Sequence, residues 1–427
     1  MHNAIMKATI FTPYRNRWGL PLLFWGMPGT AKTKLIEEIC RQYSMPYETL
    51  SPSERGEGAF GVVPVPEKIE PKKVKGKASE RDLARESLTL LTYPRPDWTE
   101  KFFERGHGVV FVDEVTSTPP ALQAPLMGLV LERRIGGAVL PPGVRMIAAA
   151  NPVEIAAGGF DLAAPLANRL GHIDWQPPTV DEHVQFMMRG SSDMNAAQKF
   201  SDELAEDLEG EEAPERPEVT FDVASEEARV MKIWPNAWAK AVGLETSFLR
   251  ARPGFKNKMP QSGDAQTSRA WPSDRTWDFA CHAMASGFTH GLSQQERETF
   301  VEAFIGAAVA SEWFVYMDAQ DLPDPAKLLD GKEKFKHDST RLDRTVAVLQ
   351  ACVTLVVPQT AEKRGDRSDA LWGLIEKMTE QKADLDLLVP SVQSLIDANL
   401  HSIKVAQKTL ATINPVLKKA GVQARRK

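Results

Sequence analysis

The stretch FWGMPGTAKTK, residues 24–34, decides the fold. It differs in one letter from the phosphate-binding pattern G-x-x-x-x-G-K-[ST], because Ala31 stands where the second glycine is expected. The run before it, Leu20–Trp25, is apolar enough for a buried parallel strand. The run after it has helical spacing, with one apolar face formed by Leu35, Ile36, Ile39 and Cys40. Strand, glycine turn and helix are the context that such a loop requires.

This loop predicts a site for a polyphosphate. Backbone N–H groups of the turn and the positive end of the following helix would face the phosphates. Lys32 would reach the terminal phosphates, and the Thr33 hydroxyl would ligate magnesium. We expect Ala31 to be tolerated because it starts a helix, where the backbone is already helical and glycine is not needed. The predicted contact residues of the loop are Gly26, Met27, Pro28, Gly29, Thr30, Ala31, Lys32 and Thr33.

An acidic strand supplies the second half of the predicted site. The run GVVFVDEV, residues 108–115, is apolar until Asp113 and Glu114. Carboxylates at the C-terminal end of a buried strand lie where open α/β sheets bind ligands. Asp113 would hold magnesium and Glu114 would polarise the attacking water of a phosphoanhydride hydrolysis. The alternative is a strand that ends in a solvated acidic turn, but beside the lysine loop a nucleotide site is favoured.

Three further polar residues follow along the chain. The apolar run VRMIAAANP, residues 144–152, ends in Asn151, which can orient the water or contact the terminal phosphate. The segment PLANRLGHIDW, residues 165–175, reads as a short helix carrying Arg169 and then another strand. RAWPSDRTWDFA, residues 269–280, places Arg275 at a helix start capped by Ser273 or Asp274.

These motifs, in this order, resemble those of a MoxR-type AAA+ ATPase over residues 18–330. The resemblance implies an α/β module with a helical lid, and a hairpin with its tip at 134–143 after a helix at 119–131. It also implies roles: Asn151 as sensor 1, Arg169 as an arginine finger and Arg275 as the sensor 2 arginine. Two residues depart from the family pattern, Ala31 and Asp274, where proline is expected before the sensor arginine. Arg269 is a nearby competitor for the sensor 2 role, and Arg169 has a structural alternative, capping its own helix or pairing with a carboxylate.

Composition excludes several classes of protein. The chain has 427 residues, a formal charge of −5 and three scattered cysteines, so no disulfide framework or zinc site is predicted. It has no apolar run of membrane-spanning length and no signal-peptide core, and we expect a cytoplasmic protein. A dedicated nucleic-acid binder normally has a basic face, which this charge does not favour. The eight histidines form no constellation, and His107 and His172, beside strands, are expected to be structural.

Three regions are predicted: an α/β nucleotide-binding module at 1–178, a helical lid at 179–330 and a C-terminal helical extension at 331–427. The stretch 51–82 is rich in glycine, proline and lysine and reads as a mobile loop with little fixed structure. Its position resembles the substrate-facing loop of related rings, with Phe60 as a candidate contact, and a solvated insertion is the alternative. The acidic stretch 202–218 is expected to be an exposed linker rather than a metal site.

Two stretches of the helical regions are expected to form core. Residues 300–317 are apolar and should pack inside the lid. Near-heptad spacing farther on suggests a helix docked on a bundle or on a partner, and core packing is favoured. The spaced residues are Val392, Ile396, Ile403, Ala406 and Leu410.

The favoured function is ATP hydrolysis by a Mg²⁺-dependent protein-remodelling chaperone that forms a ring, expected to be a hexamer, with the nucleotide between subunits. The resemblance implies a von Willebrand factor A domain protein as partner. Neither a membrane nor a nucleic acid is an expected partner. A nucleic-acid motor or restriction-type NTPase is the alternative, and it would need a basic pore, for which the lysines of 68–77 are the candidates. A non-catalytic scaffold is disfavoured by the set Lys32, Asp113, Glu114 and Asn151.

Overall fold

The structure is a computed structural model that describes residues 2–61, 63–68, 89–156, 159–177, 179–181, 184, 222–261, 264–318, 322–359, 361–381, 383–400 and 405–419. The acidic stretch 202–218 therefore lies outside the described residues. The strands are β1 (Pro13–Tyr14), β2 (Arg17–Trp18), β3 (Leu22–Trp25), β4 (Tyr47–Leu50), β5 (Val65–Lys68), β6 (Thr89–Thr92), β7 (His107–Val112), β8 (Arg134–Ile135), β9 (Ala138–Val139), β10 (Gly143–Ala150) and β11 (Gly171–Asp174).

A five-stranded parallel sheet has the strand order β11-β3-β10-β7-β4. The strands are apolar because both faces of the sheet are covered, and β3 and β10 are almost wholly buried. In the register, Ala150 of β10 lies opposite Trp25 of β3, and Ala148 lies opposite Val112 of β7. The C-terminal ends of β3, β7 and β10 therefore lie side by side, and we call this end of the sheet the sheet edge. It carries the loop at Gly26, the acidic pair after Val112 and Asn151.

Six helices lie in the described residues of the first half of the chain. They are α1 (His2–Ile10), α2 (Lys32–Gln42), α3 (Pro52–Arg55), α4 (Glu100–Arg105), α5 (Pro120–Met127) and α6 (Ala164–Ala167). Short 3₁₀ turns lie at Glu57–Phe60, Asp97–Thr99 and Val115–Ser117, and a π-helical turn, Gly128–Glu132, extends α5. The β8–β9 hairpin follows this turn, which confirms the predicted helix at 119–131 and the hairpin after it.

Part of the predicted mobile loop is ordered. Strand β5 lies within it and pairs antiparallel with β6, which follows it, while residues 69–88 between these strands lie outside the described residues. Phe60, a candidate substrate contact, is instead 2% exposed and packs in the core. Its carbonyl accepts a hydrogen bond from Gly136 N at 3.0 Å, which fastens it to the β8–β9 hairpin. The burial of Phe60 was not predicted because the surrounding segment has the composition of a loop.

The second half of the chain is helical. Its helices are α7 (Val223–Ala251), α8 (Asp274–His290), α9 (Gln294–Ile305), α10 (Ala307–Asp318), α11 (Pro325–Leu329), α12 (Leu342–Val356), α13 (Ala361–Glu380), α14 (Leu385–Asp397) and α15 (Val405–Lys419), with 3₁₀ turns at Pro253–Phe255 and Ala265–Ser268. The apolar run 300–317 is core, as predicted, but Gly306, with φ 78°, divides it into two helices. No helix of the described ranges is long and apolar enough to cross a membrane.

One hydrophobic core joins the sheet to the lid. It contains residues from one face of the sheet, such as Phe24 and Ile147, together with Trp277 and Trp313 of α8 and α10. The other face of the sheet has a core of its own, and α12 to α15 form a third. The boundaries at 178 and 330 stay predictions, because the first core crosses from the α/β module into the lid.

The C-terminal helices pack on the lid through a close approach of α12 to α7. A Cβ added at Gly243 of α7 would lie 2.6 Å from the Ala347 carbonyl oxygen and 2.9 Å from the Ala351 Cβ. In α14, Val392 and Ile396 are buried, which confirms core packing for these two residues. The side chains of Ile403, Ala406 and Leu410 lie outside the described set.

The contact at Gly243 predicts opposite effects for one substitution at two helical glycines. Glycine to alanine in a helix ordinarily stabilises by about 0.5–1 kcal/mol. Gly373→Ala in α13, where an added Cβ meets nothing within 4 Å, should raise the thermal midpoint of unfolding. Gly243→Ala should lower it, because overpacking typically costs about 1–3 kcal/mol. A rise in both variants, measured by calorimetry, would contradict the close packing of α12 on α7.

Candidate functional site

Lys32 is the first residue of α2, and its side chain turns back over the loop that precedes it. Its Nζ donates to the carbonyl oxygens of Gly26 at 2.7 Å and Met27 at 2.9 Å, and to Asn151 Oδ1 at 3.3 Å. Loss of hydration lowers the pKa of the ammonium, while the nearby Asp113 carboxylate raises it. The sheet edge therefore holds a cation between the loop and β10, as predicted for a phosphate site.

The expectation about Ala31 is wrong. Its φ of 64° and ψ of 23° lie in the left-handed region, so the backbone at this position is not yet helical. A left-handed conformation costs a non-glycine residue roughly 1–2 kcal/mol. The second glycine of the pattern therefore serves to adopt a left-handed backbone conformation. Alanine at this position adopts the same conformation at a cost in free energy.

Trp175 fastens the phosphate loop from the neighbouring edge strand. Its Nε1 donates to the Thr30 carbonyl oxygen at 2.9 Å, and its backbone N donates to the Trp25 carbonyl oxygen at 2.6 Å. A Cβ added at Gly26 would lie 2.8 Å from the Trp175 Cβ, which explains glycine at the start of the loop. Sequence reasoning missed Trp175, and its only signal was an aromatic residue directly after a predicted strand.

The acidic pair meets the phosphate loop. Thr33 Oγ1 donates to Asp113 Oδ2 at 3.4 Å, and Asp113 Oδ1 accepts from the Glu114 backbone N at 2.8 Å. A hydroxyl and a carboxylate are hard oxygen ligands suited to Mg²⁺, which commonly binds few protein groups together with phosphates and waters. No cluster of three or more His, Cys, Asp or Glu residues able to hold a metal occurs within the described residues. The pair Thr33 and Asp113 fits Mg²⁺ on this donor chemistry.

Asn151 stands at the end of β10, between the loop and the acidic pair. Its side-chain oxygen accepts from Lys32, and its backbone oxygen accepts from Thr116 Oγ1 at 2.8 Å. Glu114, directly after Asp113, has a left-handed φ of 54°. The structure thus gathers the predicted residues Lys32, Thr33, Asp113, Glu114 and Asn151 at one sheet edge.

The two predicted arginines form a separate group. Arg169 follows α6, and its Nη1 donates to the Pro165 carbonyl oxygen at 2.7 Å, so it contacts its own helix. Arg275 lies in the first turn of α8, capped by Ser273, and its Nη1 donates to Asn168 Oδ1 at 3.4 Å. Burial lowers the pKa of the Arg169 guanidinium, and the charge of Arg275 lowers it further. Both side chains contact the 165–168 segment, so the two cations belong to one group.

Arg269 lies closer to the phosphate loop than sequence reasoning indicated. Its guanidinium stacks over the Trp25 ring at 4.2 Å, and its Nη1 donates to Asp174 Oδ1 at 2.8 Å. Trp25 and Asp174 are the last residues of adjacent parallel strands, at the edge from which the loop departs. Arg269 therefore covers the strand that feeds the loop, whereas Arg275 is grouped with Arg169.

His172 connects the phosphate-loop strand to α6. Its Nδ1 accepts from Trp25 Nε1 at 2.9 Å, and its Nε2 lies 2.9 Å from the Ala167 carbonyl oxygen. An indole N–H can only donate, so Nδ1 is unprotonated and Nε2 carries the hydrogen. Burial lowers the pKa of His172 to about 4, against the opposing effect of the Ala167 bond. The ring is therefore neutral near neutral pH.

Comparison with known proteins identifies this nucleotide-binding part of the chain. Residues 21–170 match a family model described as "AAA domain (dynein-related subfamily)". This part of the chain is similar to AAA domains. The match spans the phosphate loop, the acidic strand, Asn151 and Arg169, and it implies binding of ATP. The fold class predicted from sequence, an AAA+ α/β module followed by helices, is confirmed.

The comparisons with curated sequences and with solved structures do not narrow the family further. No curated protein sequence matches the chain. A crystal structure from Cytophaga hutchinsonii ATCC 33406, described as a "putative ATPase", matches at 11% sequence identity and a TM-score of 0.36. The match covers 71% of this chain and 79% of that one. The narrower resemblance to MoxR-type proteins stays a prediction.

Replacement of Lys32 should remove nucleotide binding. Charge-assisted hydrogen bonds contribute about 1.5–3 kcal/mol each, so the loss of two would weaken binding by roughly 10²-fold or more. Titration of the Lys32→Ala variant with a fluorescent ATP analogue measures this. Lys34→Ala is the matched control, since Lys34 is exposed and pairs with Glu37 at 2.7 Å. Equal affinities of the two variants would exclude the lysine loop as the phosphate site.

The buried neutral histidine predicts a pH dependence of stability. The pKa of His172 is about 4 in the fold against 6.5 ordinarily, so the unfolded chain binds more protons between these values. The free energy of unfolding should therefore fall as the pH is lowered through this window, by up to about 2 kcal/mol for this residue between roughly pH 7 and pH 5. Urea unfolding at both pH values measures it. His172→Gln should show a smaller fall, and an equal fall would show that His172 does not contribute.

Proposed function

We propose that the chain is a Mg²⁺-dependent ATPase of the MoxR type that assembles into a ring, expected to be a hexamer, and remodels a client protein. One observation carries this proposal. The sheet edge gathers Lys32, Thr33, Asp113 and Asn151, while Arg169 and Arg275 form a second group with a different location. Two such groups suit a nucleotide bound between subunits.

The residues of the sheet edge have the chemistry for hydrolysis of a phosphoanhydride. Lys32 would exchange its carbonyl partners in the loop for phosphate oxygens. Magnesium at Thr33 and Asp113 would neutralise charge on the phosphates. Glu114 would polarise the attacking water and Asn151 would orient it, because this reaction depends on positioning and charge stabilisation. Ala31 and Glu114 both have left-handed backbones, a type of strain that clusters at active sites.

The place of Arg169 supports a role in a neighbouring subunit. Gly171, two residues later, lies opposite Leu22, the first residue of β3, whereas the phosphate loop follows the last residue, Trp25. Those ends are about 10 Å apart at the usual rise of a parallel strand. β11 is also an edge strand, so Arg169 lies at the periphery of the sheet. In the proposed ring, Arg169 and Arg275 would stabilise charge that develops on the neighbour's phosphate.

The antiparallel β5–β6 ribbon and the β8–β9 hairpin offer a surface for a polypeptide client. They are linked by Gly137 N, which donates to the Tyr93 carbonyl oxygen at 2.8 Å. What we call the hairpin surface comprises the exposed apolar side chains in and beside these two elements: Val63, Val65, Leu90, Leu91, Tyr93 and Val139. Each is at least 42% exposed, and apolar patches of this kind mark interaction sites.

The hairpin surface favours a protein client over a nucleic acid, whose phosphates call for lysine and arginine contacts. The lysines of 68–77, candidates for a basic pore in the alternative reading, lie outside the described side chains. We therefore retain the nucleic-acid motor only as the second hypothesis. A von Willebrand factor A domain partner belongs to the proposal through the MoxR resemblance, and a cytoplasmic location belongs to it through the composition of the sequence.

A mixing experiment tests the shared site. Glu114→Gln should keep ATP binding and lose turnover, and Arg169→Ala should also be nearly inactive, because such fingers contribute roughly 10³–10⁵ in rate. In a ring mixed in equal parts, about a quarter of the interfaces join an intact Glu114 to an intact Arg169 from the other variant. ATPase activity of the mixture should therefore exceed that of either variant.

Two controls accompany this mixture. Sedimentation of Glu114→Gln with and without ATP tests assembly, which bound nucleotide should favour. The double variant Glu114→Gln/Arg169→Ala mixed with Arg169→Ala should regain nothing, because no Arg169 is present. Assembled mixtures no more active than the separate variants would place Arg169 in its own chain and refute the shared site.

A further inference from the structure

We propose that His172 is a positioning residue, which couples the phosphate loop of one subunit to Arg169 and hence to ATP hydrolysis in the adjacent subunit. This inference rests on the proposed function, because it assumes that Arg169 acts on a neighbour's nucleotide. The contacts that carry it are the hydrogen bonds from Trp25 to His172 and from His172 to Ala167, which together we call the histidine bridge.

One end of the histidine bridge is fixed to the phosphate loop. Trp25 directly precedes Gly26, whose carbonyl oxygen accepts from the Lys32 ammonium at 2.7 Å. Trp25 is buried, and the Arg269 guanidinium stacks over its ring. If Lys32 leaves the Gly26 carbonyl to bind a phosphate, the residue next to Trp25 loses a strong contact. A movement of the phosphate loop would therefore displace the Trp25 indole before other side chains of the sheet.

The other end is fixed to the helix that carries Arg169. α6 has only four residues, so few contacts determine its orientation. Ala167 O accepts from His172, and Asn168 Oδ1 accepts from Ser273 Oγ at 3.1 Å and from Arg275. Arg169 follows these two residues directly. A shift of the imidazole would therefore move the backbone next to Arg169.

The geometry of His172 suits mechanical coupling. The imidazole is nearly parallel to the Trp25 ring, with an interplanar angle of 17°, and both ring nitrogens are engaged. Rotation of the ring would break both hydrogen bonds at once. Trp25 and His172 are 147 positions apart in the chain, and the parallel pairing of β11 with β3 brings them side by side. The alternative, that His172 only fills the core, makes different predictions for the variants below.

The first test separates positioning from packing. His172→Leu removes donor and acceptor, whereas His172→Gln retains an acceptor and a donor on either side of one carbon, as imidazole does. His172→Leu should bind a fluorescent ATP analogue as wild type does, and its kcat should fall by roughly 10²-fold, as small misplacements of catalytic groups do. His172→Gln should recover much of that loss. His107→Leu is the matched control, a half-buried histidine at the start of β7 and the opposite sheet edge, and should keep wild-type kcat.

The second test asks whether the effect passes through Arg169. In the double variant His172→Leu/Arg169→Ala, the losses should not multiply, because the second change removes what the first misplaces. In rings mixed with Glu114→Gln, the His172→Leu subunit keeps an intact site and receives Arg169 from its neighbour, so activity should return. Multiplied losses, or a mixture without recovery, would place the effect in the subunit's own phosphate loop and overturn the proposal.

The same measurements distinguish this inference from the proposed function. If Arg169→Ala retains wild-type turnover, the proposal of a site shared between subunits is refuted. The proposal for the histidine bridge is then refuted as well, because Arg169 would have no catalytic role. If Arg169→Ala is inactive while His172→Leu has wild-type turnover, the proposal of a shared site is supported and the proposal for the histidine bridge is refuted. Should His172→Leu not fold, Trp25→Phe removes the N–H donor while keeping an aromatic ring, and it is expected to lower kcat and to recover in the same mixture.

Discussion

The parallel pairing of β10 with β3 on one side and β7 on the other is the constraint on which the site depends. Each of these strands ends in a functional residue or loop, and the register brings the three ends to one edge. A shift of one residue in either ladder would turn alternate side chains to the wrong face and separate Asn151 from Lys32. The apolar cores on both faces of the sheet fix this register, because β3, β7 and β10 bury both of their faces.

Most of the nucleotide site was predictable from sequence because its parts are local. A strand, a turn and a helix in succession predict where Lys32 and Thr33 lie, and strand endings predict Asp113 and Asn151. Ala31 was misread because its backbone angle follows from closure of the loop and not from the residue type. Phe60 was misread because its surroundings have the composition of a loop while its ring fills a core.

Contacts between distant segments could not be predicted from one sequence. Trp25 and His172 each looked ordinary, one as the last residue of a buried strand and the other as a histidine beside a strand. Arg269 was seen only as a competitor of Arg275, since nothing in the sequence indicates that its guanidinium stacks on Trp25. Buried Arg145 likewise joins β10 to the carbonyl of Ile10 and to Glu227 of α7. These contacts tie the helical half of the chain to the strand that ends in Asn151.

The hairpin surface has a consequence for the free subunit. Within the part of the chain that the structure describes, β5–β6 is a two-stranded ribbon whose outer edges pair with no further strand, and exposed valine, leucine and tyrosine side chains lie in and beside it. Such a ribbon is a template for pairing with any extended chain, including another copy of itself. The feature that would let the protein engage a polypeptide is thus also an aggregation hazard, which shielding of the ribbon would reduce.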